Sequence, residues 1–287
     1  MKKKIVILLT LYIIIKIFLN YKNIQTNVYV ISLIFFKNIF PALFIFFIIS
    51  NILINYGFID ILAKYFDKLF YYLFNINKYS TYVLIMSMLS GLPSNAKYIK
   101  ELLDNKLINE KDAEHILLFS HFANPLFILF IGIDKPYLIL IAHYIPNFII
   151  GIFTRGINKN NCKDIKINNK DAKTLSNVLT ESIINSINII FTVLGLIIIF
   201  YTLSNLTNIF ILKYILEMSS SITFIMNNYL TSKIKAMLIT GILSFGGLCV
   251  HMQVISIINN KKIRYTPYLL ARIIHFIIST LIIYFIY

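Results

Sequence analysis

The chain has 287 residues, of which 58% are hydrophobic, 15% aromatic and only 14% charged. A soluble globular domain carries about 25% charged residues, so a soluble fold, a disordered chain and a coiled coil are all excluded. The formal net charge is nevertheless +15, from 27 Lys and Arg against 12 Asp and Glu. On so aliphatic a background, that charge reads as the cytoplasmic flanks of a membrane protein and not as a nucleic-acid footprint. An excess of Ile, Asn, Lys, Phe and Tyr with no Trp also marks a biased composition.

The first apolar run, Ile5 to Leu19, follows Lys2, Lys3 and Lys4. Lys16 interrupts it and no small-residue cleavage site follows, so it reads as a retained anchor with its N-terminus inside. Val28 to Tyr56 is divided by Pro41 into an amphipathic lead-in and a span. Gly57 to Lys78 mixes Asp60, Lys64, Asp67 and Lys68 with aromatics, as an interfacial helix does. Tyr82 to Leu92 is too short to span and breaks at Gly91-Leu92-Pro93-Ser94-Asn95. A polar helical patch, Lys97 to His115, precedes two apolar runs, Ile116–Ile133 and Pro136–Phe153. Arg155 to Asn177 is a basic linker, cytoplasmic by the positive-inside rule. Four full crossings then lie between N-terminus and linker, and parity requires the short Tyr82–Leu92 segment to enter and leave on one side.

Beyond the linker the plan recurs. Ile183–Asn205 spans, Ile209–Asn227 is broken and polar around Glu217, Met237–Val250 is short and broken by Gly246-Gly247, and Pro267–Tyr287 is a final span. At one fixed offset, Ser50-Asn51 falls on Ser204-Asn205, Leu89-Ser90 on Leu243-Ser244, Lys97 on His251, and His121-Phe122 on His275-Phe276. The expected architecture is an all-α polytopic membrane protein with an inverted repeat and two re-entrant or broken helical hairpins. Its parts are an anchor (1–22), a first repeat (23–154), a cytoplasmic basic linker (155–177) and a second repeat (178–287). Inversion would put the basic loop of Lys261, Lys262 and Arg264 outside, against the positive-inside rule.

Short, broken apolar segments at matching positions of two halves point to a transporter binding site. Unwound backbone is tolerated in a bilayer only where it lines protein or a wet cavity, and helix N-termini there attract anions. Lys97 and His251 would add positive charge near the two tips, favouring a small anionic solute. Glu217, flanked by serines, is a candidate coupling-ion ligand or proton carrier. Ser90, Ser94, Asn95, Ser219 and Gln253 offer neutral hydrogen-bonding groups. Gly91, Pro93, Gly246 and Gly247 permit the breaks, and Asn124-Pro125 can kink its helix and expose carbonyls. His121 and His275 suit packing, His115 and His143 structural roles, and Arg272 with His275 shares one helix face. Cys162 in the linker and Cys249 in an apolar segment give neither a disulfide framework nor a zinc spacing, and nothing calls for a cofactor. No G-x-S-x-G, H-E-x-x-H or paired aspartates suggest an enzyme.

Several of these segments resemble one family in order along the chain. Ser90-Gly91-Leu92-Pro93-Ser94-Asn95-Ala96-Lys97 is similar to the S-G-x-P-S-G-A-K signature of the YlbJ-like sporulation integral membrane proteins, which belong with the nucleoside-recognition Gate domain proteins. Asp112 to Leu117 resembles E-A-E-x-L-L, Asn124 to Ile128 resembles N-P-x-F-I, and Leu216 to Ser221 resembles L-E-x-T-x-G. Ser244 to Gln253 resembles S-F-G-G-L-S-V-H-x-Q. Asn95 stands where the family has Gly, Cys249 where it has Ser, and Ser219 and Ser221 where it has Thr and Gly. The resemblance implies a protein of the outer forespore membrane that supplies dipicolinic acid, a flat dianion at neutral pH, to the spore. A nucleoside transporter, or a non-transporting recognition or assembly factor, is the alternative expectation. The partners expected are a small anion and the lipid bilayer, with no nucleic acid.

Overall fold

A computed structural model of the protein describes residues 2–157, 174–206 and 210–287, and among them every regular element is helical. The helices are α1 (Lys2–Leu19), α2 (Tyr21–Ile34), α3 (Phe40–Asn55), α4 (Phe58–Phe74), α5 (Lys78–Ser90), α6 (Ser94–Asp104), α7 (Glu110–Phe119) and α8 (Pro125–Leu129). There follow α9 (Pro136–Thr154), α10 (Leu175–Leu206), α11 (Phe210–Leu216), α12 (Met218–Met226), α13 (Ser232–Phe245), α14 (Gly247–Ile258) and α15 (Tyr265–Ile286). Most of the linker with Cys162 lies outside the described residues.

Pro41 does divide its apolar stretch. It occupies the first turn of α3, where its missing N–H leaves no bond unmade, and the wider turn before it, Phe35–Ile39, is a π-helix. Gly57, at φ 78°, then lets α4 leave α3 at 87°. Ile59, Leu62 and Phe74 mark the buried face of α4. Its Asp60 on the other face meets Lys78 at 2.8 Å, so the helix is amphipathic as expected.

The segment α5–α6 is a true hairpin. The Tyr82 and Tyr98 rings stand 5.8 Å apart and the Tyr98 hydroxyl donates to Ser90 Oγ at 2.9 Å. One continuous helix would separate those rings by roughly 24 Å at 1.5 Å per residue. The polar patch after it is two helices, because the chain turns at Asn105–Asn109 before a capping box formed by Asn109 and Asp112 starts α7.

Two expectations change. Ile116–Ile133 is not one spanning helix. It unwinds at Ser120–Asn124, between α7 and α8. Pro125 disfavours helical geometry in the residue before it, and Asn124 sits at φ −57°, ψ 127°. Met237–Val250 is not a second hairpin either. The helices α13 and α14 run on as one 27-residue candidate span, Ser232–Ile258, interrupted at Gly246.

Four stretches are long and apolar enough to cross a bilayer: Pro136–Thr154, Leu175–Leu206, Ser232–Ile258 and Tyr265–Ile286. The bent pair α3–α4 passes the same test only when its two helices are taken as one span. Their outward faces carry large apolar side chains such as Phe153, 86% exposed, and Phe285, 79% exposed. In water such faces would be unstable, whereas against lipid they are the preferred contact. This is a polytopic integral membrane protein. Inside it, α13 packs on α15, α15 on α9, and α10 on α2 and α3.

Candidate functional site

Four interruptions of helical structure meet in the interior. Gly91 closes α5 so tightly against the unwound segment that a Cβ there would lie 2.7 Å from Asn124 Cα. A Cβ on Gly246 would lie 2.8 Å from His121 Cε1, on the same segment. A Cβ on Gly247 would come within 3.3 Å of the Ile215 carbonyl, at the α11–α12 break. The segment Ser120–Asn124 thus touches both glycine breaks, and Gly247 joins the Glu217 break to them.

Unwound backbone in a bilayer must be satisfied by protein, and here side chains do it. Ala123 N–H donates to His143 Nε2 at 2.8 Å. Asn147 donates to the His121 carbonyl at 2.7 Å, and the Tyr144 hydroxyl reaches the Ala123 carbonyl at 3.2 Å. Arg272, fully buried, donates to the Leu118 carbonyl. Asn124 caps α8 by accepting from Leu126 N at 2.9 Å and Phe127 N at 3.3 Å, and its amide donates to the Ser90 carbonyl at 3.2 Å.

Glu217 is the N-cap of α12. Its two carboxylate oxygens accept from Ser219 N at 3.0 Å and Ser220 N at 2.6 Å, and it is 2% exposed. Free N–H groups at a helix start favour a carboxylate in this position. The resemblance of Leu216–Ser221 to a family motif therefore coincides with a cap.

A cavity of about 570 Å³ opens where these breaks meet. Its polar wall holds Ser90, Asn124, Glu217, Ser219, Gln253 and Lys37; its apolar wall includes Leu92, Phe127, Phe130, Val193 and Met218. That volume lies in the range of sites for small organic ligands.

The comparisons with known proteins follow the same path. A family model for the Gate domain, described as "Nucleoside recognition", matches residues 36–136, from the π-helical turn through the hairpin to the start of α9. The "Sporulation integral membrane protein YlbJ" of Bacillus subtilis (strain 168) is 24% identical over 288 aligned residues, covering 82% of this chain and 71% of that protein. The chain is therefore similar to that protein along most of its length, and to the Gate model over the hairpin half. No solved structure matches it.

The expected site residues divide around the cavity. Ser90, Pro93, Asn124, Glu217, Ser219 and Gln253 line it. Gly91, Gly246 and Gly247 pack the breaks behind it. Ser94 and Asn95 are buried at the start of α6.

Lys97 and His251 do not line the cavity. The Lys97 ammonium is fully buried and donates to the Phe47 carbonyl at 3.0 Å and Ser50 Oγ at 2.9 Å, while pairing with Glu101 at 2.8 Å. It also lies 5.1 Å from the centre of the Phe47 ring. Those contacts staple α6 to α3. His251 bonds the Phe245 carbonyl at 2.9 Å and the Tyr265 hydroxyl at 2.8 Å.

Two features escape a reading of sequence. Lys37, on the π-helical turn, is the cation on the cavity wall. Second, His121, His143, His275 and Arg272 form one buried cluster, with the His143 and His275 rings stacked at 4.8 Å and Arg272 Nη1 2.8 Å from His275 Nδ1. The match of His121 with His275 at the repeat offset was the available signal for that cluster. Among the described residues no three His, Cys, Asp or Glu side chains are placed to hold a metal ion.

Proposed function

We propose that this protein is a membrane carrier for a small, flat, anionic solute, with dipicolinate as the substrate and the outer forespore membrane as its place of work. The observation that carries the reading is the cavity at the meeting point of four helix breaks. Discontinuous helices around a central pocket are the usual build of a secondary transporter's substrate site. The apolar lining of Leu92, Phe127, Phe130 and Met218 suits a flat ring, and Lys37 with the hydroxyl and amide groups of Ser90, Ser219, Asn124 and Gln253 offers partners for its carboxylates. Glu217 is compatible with an anion because its charge is met by the two amides it caps. The family resemblance supplies the link to spore formation, and the similarity to a sporulation membrane protein supports it.

A nucleoside is the second reading, favoured by the description of the matching family model. Uptake by the purified protein in liposomes separates the two. Dipicolinate should accumulate and unlabelled nucleosides should not compete. Lys37→Gln should raise KM about tenfold, the worth of one charge-assisted hydrogen bond, with little change in thermal midpoint because Lys37 is exposed. Competition by nucleosides reverses the assignment. Absence of any uptake favours the recognition or assembly factor instead.

A further inference from the structure

Four histidines, His121, His143, His251 and His275, are buried around the breaks with Arg272, and their hydrogen bonds sort them by their capacity for a proton. A guanidinium only donates, so the 2.8 Å contact from Arg272 Nη1 makes His275 Nδ1 a bare acceptor. His275 Nε2–H then donates to the His143 carbonyl at 2.8 Å. His143 is fixed in the opposite tautomer. Its Nε2 accepts the Ala123 N–H, and its Nδ1–H donates to Ser244 Oγ at 2.9 Å. A second proton on either ring would set N–H against N–H. His121 uses Nδ1 for the Tyr268 hydroxyl at 3.2 Å, and its Nε2 has no partner. Protonated, it would bury an unsatisfied donor, which is costly.

His251 is different. Its Nε2–H donates to the Phe245 carbonyl, while its Nδ1 meets the Tyr265 hydroxyl. A hydroxyl can donate to a bare nitrogen or accept from a protonated one, so this ring gains a proton and keeps both bonds. Phe245 is the last residue of α13, so the charge would rest on the carbonyl end of a helix, where a cation is favoured. Tyr265 is 36% exposed and offers the path from bulk water. The other titratable or charged groups that face His251 are Tyr268 and Arg272 on α15 and His121 on the unwound segment, and Arg272 opposes the charge.

We propose that His251 is a proton-binding residue at the Gly246 break. The proton arrives through Tyr265 and settles on Nδ1, and the hydroxyl hydrogen of Tyr265 turns outward. The charged ring grips the end of α13 more firmly, so movement at the break is linked to proton binding. Coupling of that proton to a solute rests on the carrier reading above, whereas the titration of His251 does not.

The test uses the full chain in lipid bilayers with nitrogen-15 labelled histidine, followed by solid-state NMR between about pH 3.5 and pH 8. One ring should convert to imidazolium, and that conversion should vanish in His251→Gln, whose amide keeps a donor for Phe245 and an acceptor for Tyr265. Two rings should stay neutral throughout, one protonated at Nδ1 and one at Nε2. If no titrating ring is lost in His251→Gln, the proposal is overturned. Tyr265→Phe is the second variant. It should move the midpoint of the same ring, and an unmoved midpoint overturns the route through Tyr265 and the assignment with it. In liposomes, an inward proton gradient should speed dipicolinate uptake several-fold in the wild type and not in His251→Gln. Uptake indifferent to the gradient removes the coupling and leaves the carrier. A titrating His251 without uptake removes the carrier and leaves the proton site.

Discussion

Gly91 and Gly246 each interrupt a buried helix, yet the chain does different things at them. At Gly91 it reverses, and α6 folds back along α5. At Gly246 it continues, and α13 and α14 share one span. Both glycines have positive φ, 81° and 88°, but Gly91 has ψ −170° and Gly246 ψ −8°. The matched polar residues follow suit. Lys97 reaches α3 through Phe47 and Ser50 while pairing with Glu101 on its own helix, whereas His251 stays at its own break, on Phe245 and Tyr265. A glycine thus sets where each helix stops, and the local backbone sets whether the chain turns back.

The largest effect that would break this comparison is at the glycines themselves. Gly91→Ala adds a methyl against immobile backbone of Asn124 as well as a strained φ. It should cost about 4 kcal/mol or more, enough to prevent recovery of folded protein. Gly246→Ala carries the same φ strain, but its methyl meets side chains, those of His121 and Val250, and no backbone, so it should cost about half as much. Equal losses of thermal midpoint in detergent would show that the two breaks are mechanically alike.

Next in size is the Lys97 staple. Lys97→Met leaves the Glu101 carboxylate without its cation and should lower stability by about 3 kcal/mol. Adding Glu101→Leu should recover most of that loss, because a buried ion pair contributes little against an apolar pair of similar shape. If the double variant is as unstable as the single one, Lys97 does more than hold the hairpin.

The smallest effect concerns Glu114 and Arg264, which tie α7 to the loop before α15 at 2.7 Å. The hydrogen bonds from Arg264 hold the Glu114 carboxyl below the usual carboxylate range. A depressed carboxylate stabilises the fold above its unfolded pKa, and that contribution is lost as pH falls through the folded value. Arg264→Ala should therefore lower the thermal midpoint slightly at neutral pH. The gap to wild type should close below about pH 4, starting near the unfolded glutamate pKa. A gap unchanged by acid would mean that Arg264 acts by packing alone.

The hairpin was legible in sequence because Gly91, Pro93 and the shortness of its apolar run are local signals. Its burial of Lys97 was half legible, since the residue could be seen but its partners on α3 could not. The unwinding at Ser120–Asn124 was masked because hydropathy averages over the very residues that break the helix. The side chains that make the break tolerable, His143, Asn147, Tyr144 and Arg272, are remote in the chain. The straight passage at Gly246 was illegible for another reason: a glycine pair permits both a reversal and a continuation. Lys37 was hidden among the many lysines of a biased composition.

The satisfaction of that unwound backbone also dictates an order of biogenesis. The groups left bare at Leu118, His121 and Ala123 find partners on α9 and α15, which emerge from the ribosome afterwards. Until α15 arrives, the Leu118 carbonyl lacks its guanidinium. The early half of the molecule is therefore completed by the latest of its described helices, and a chain cut before α15 loses more than the helix removed.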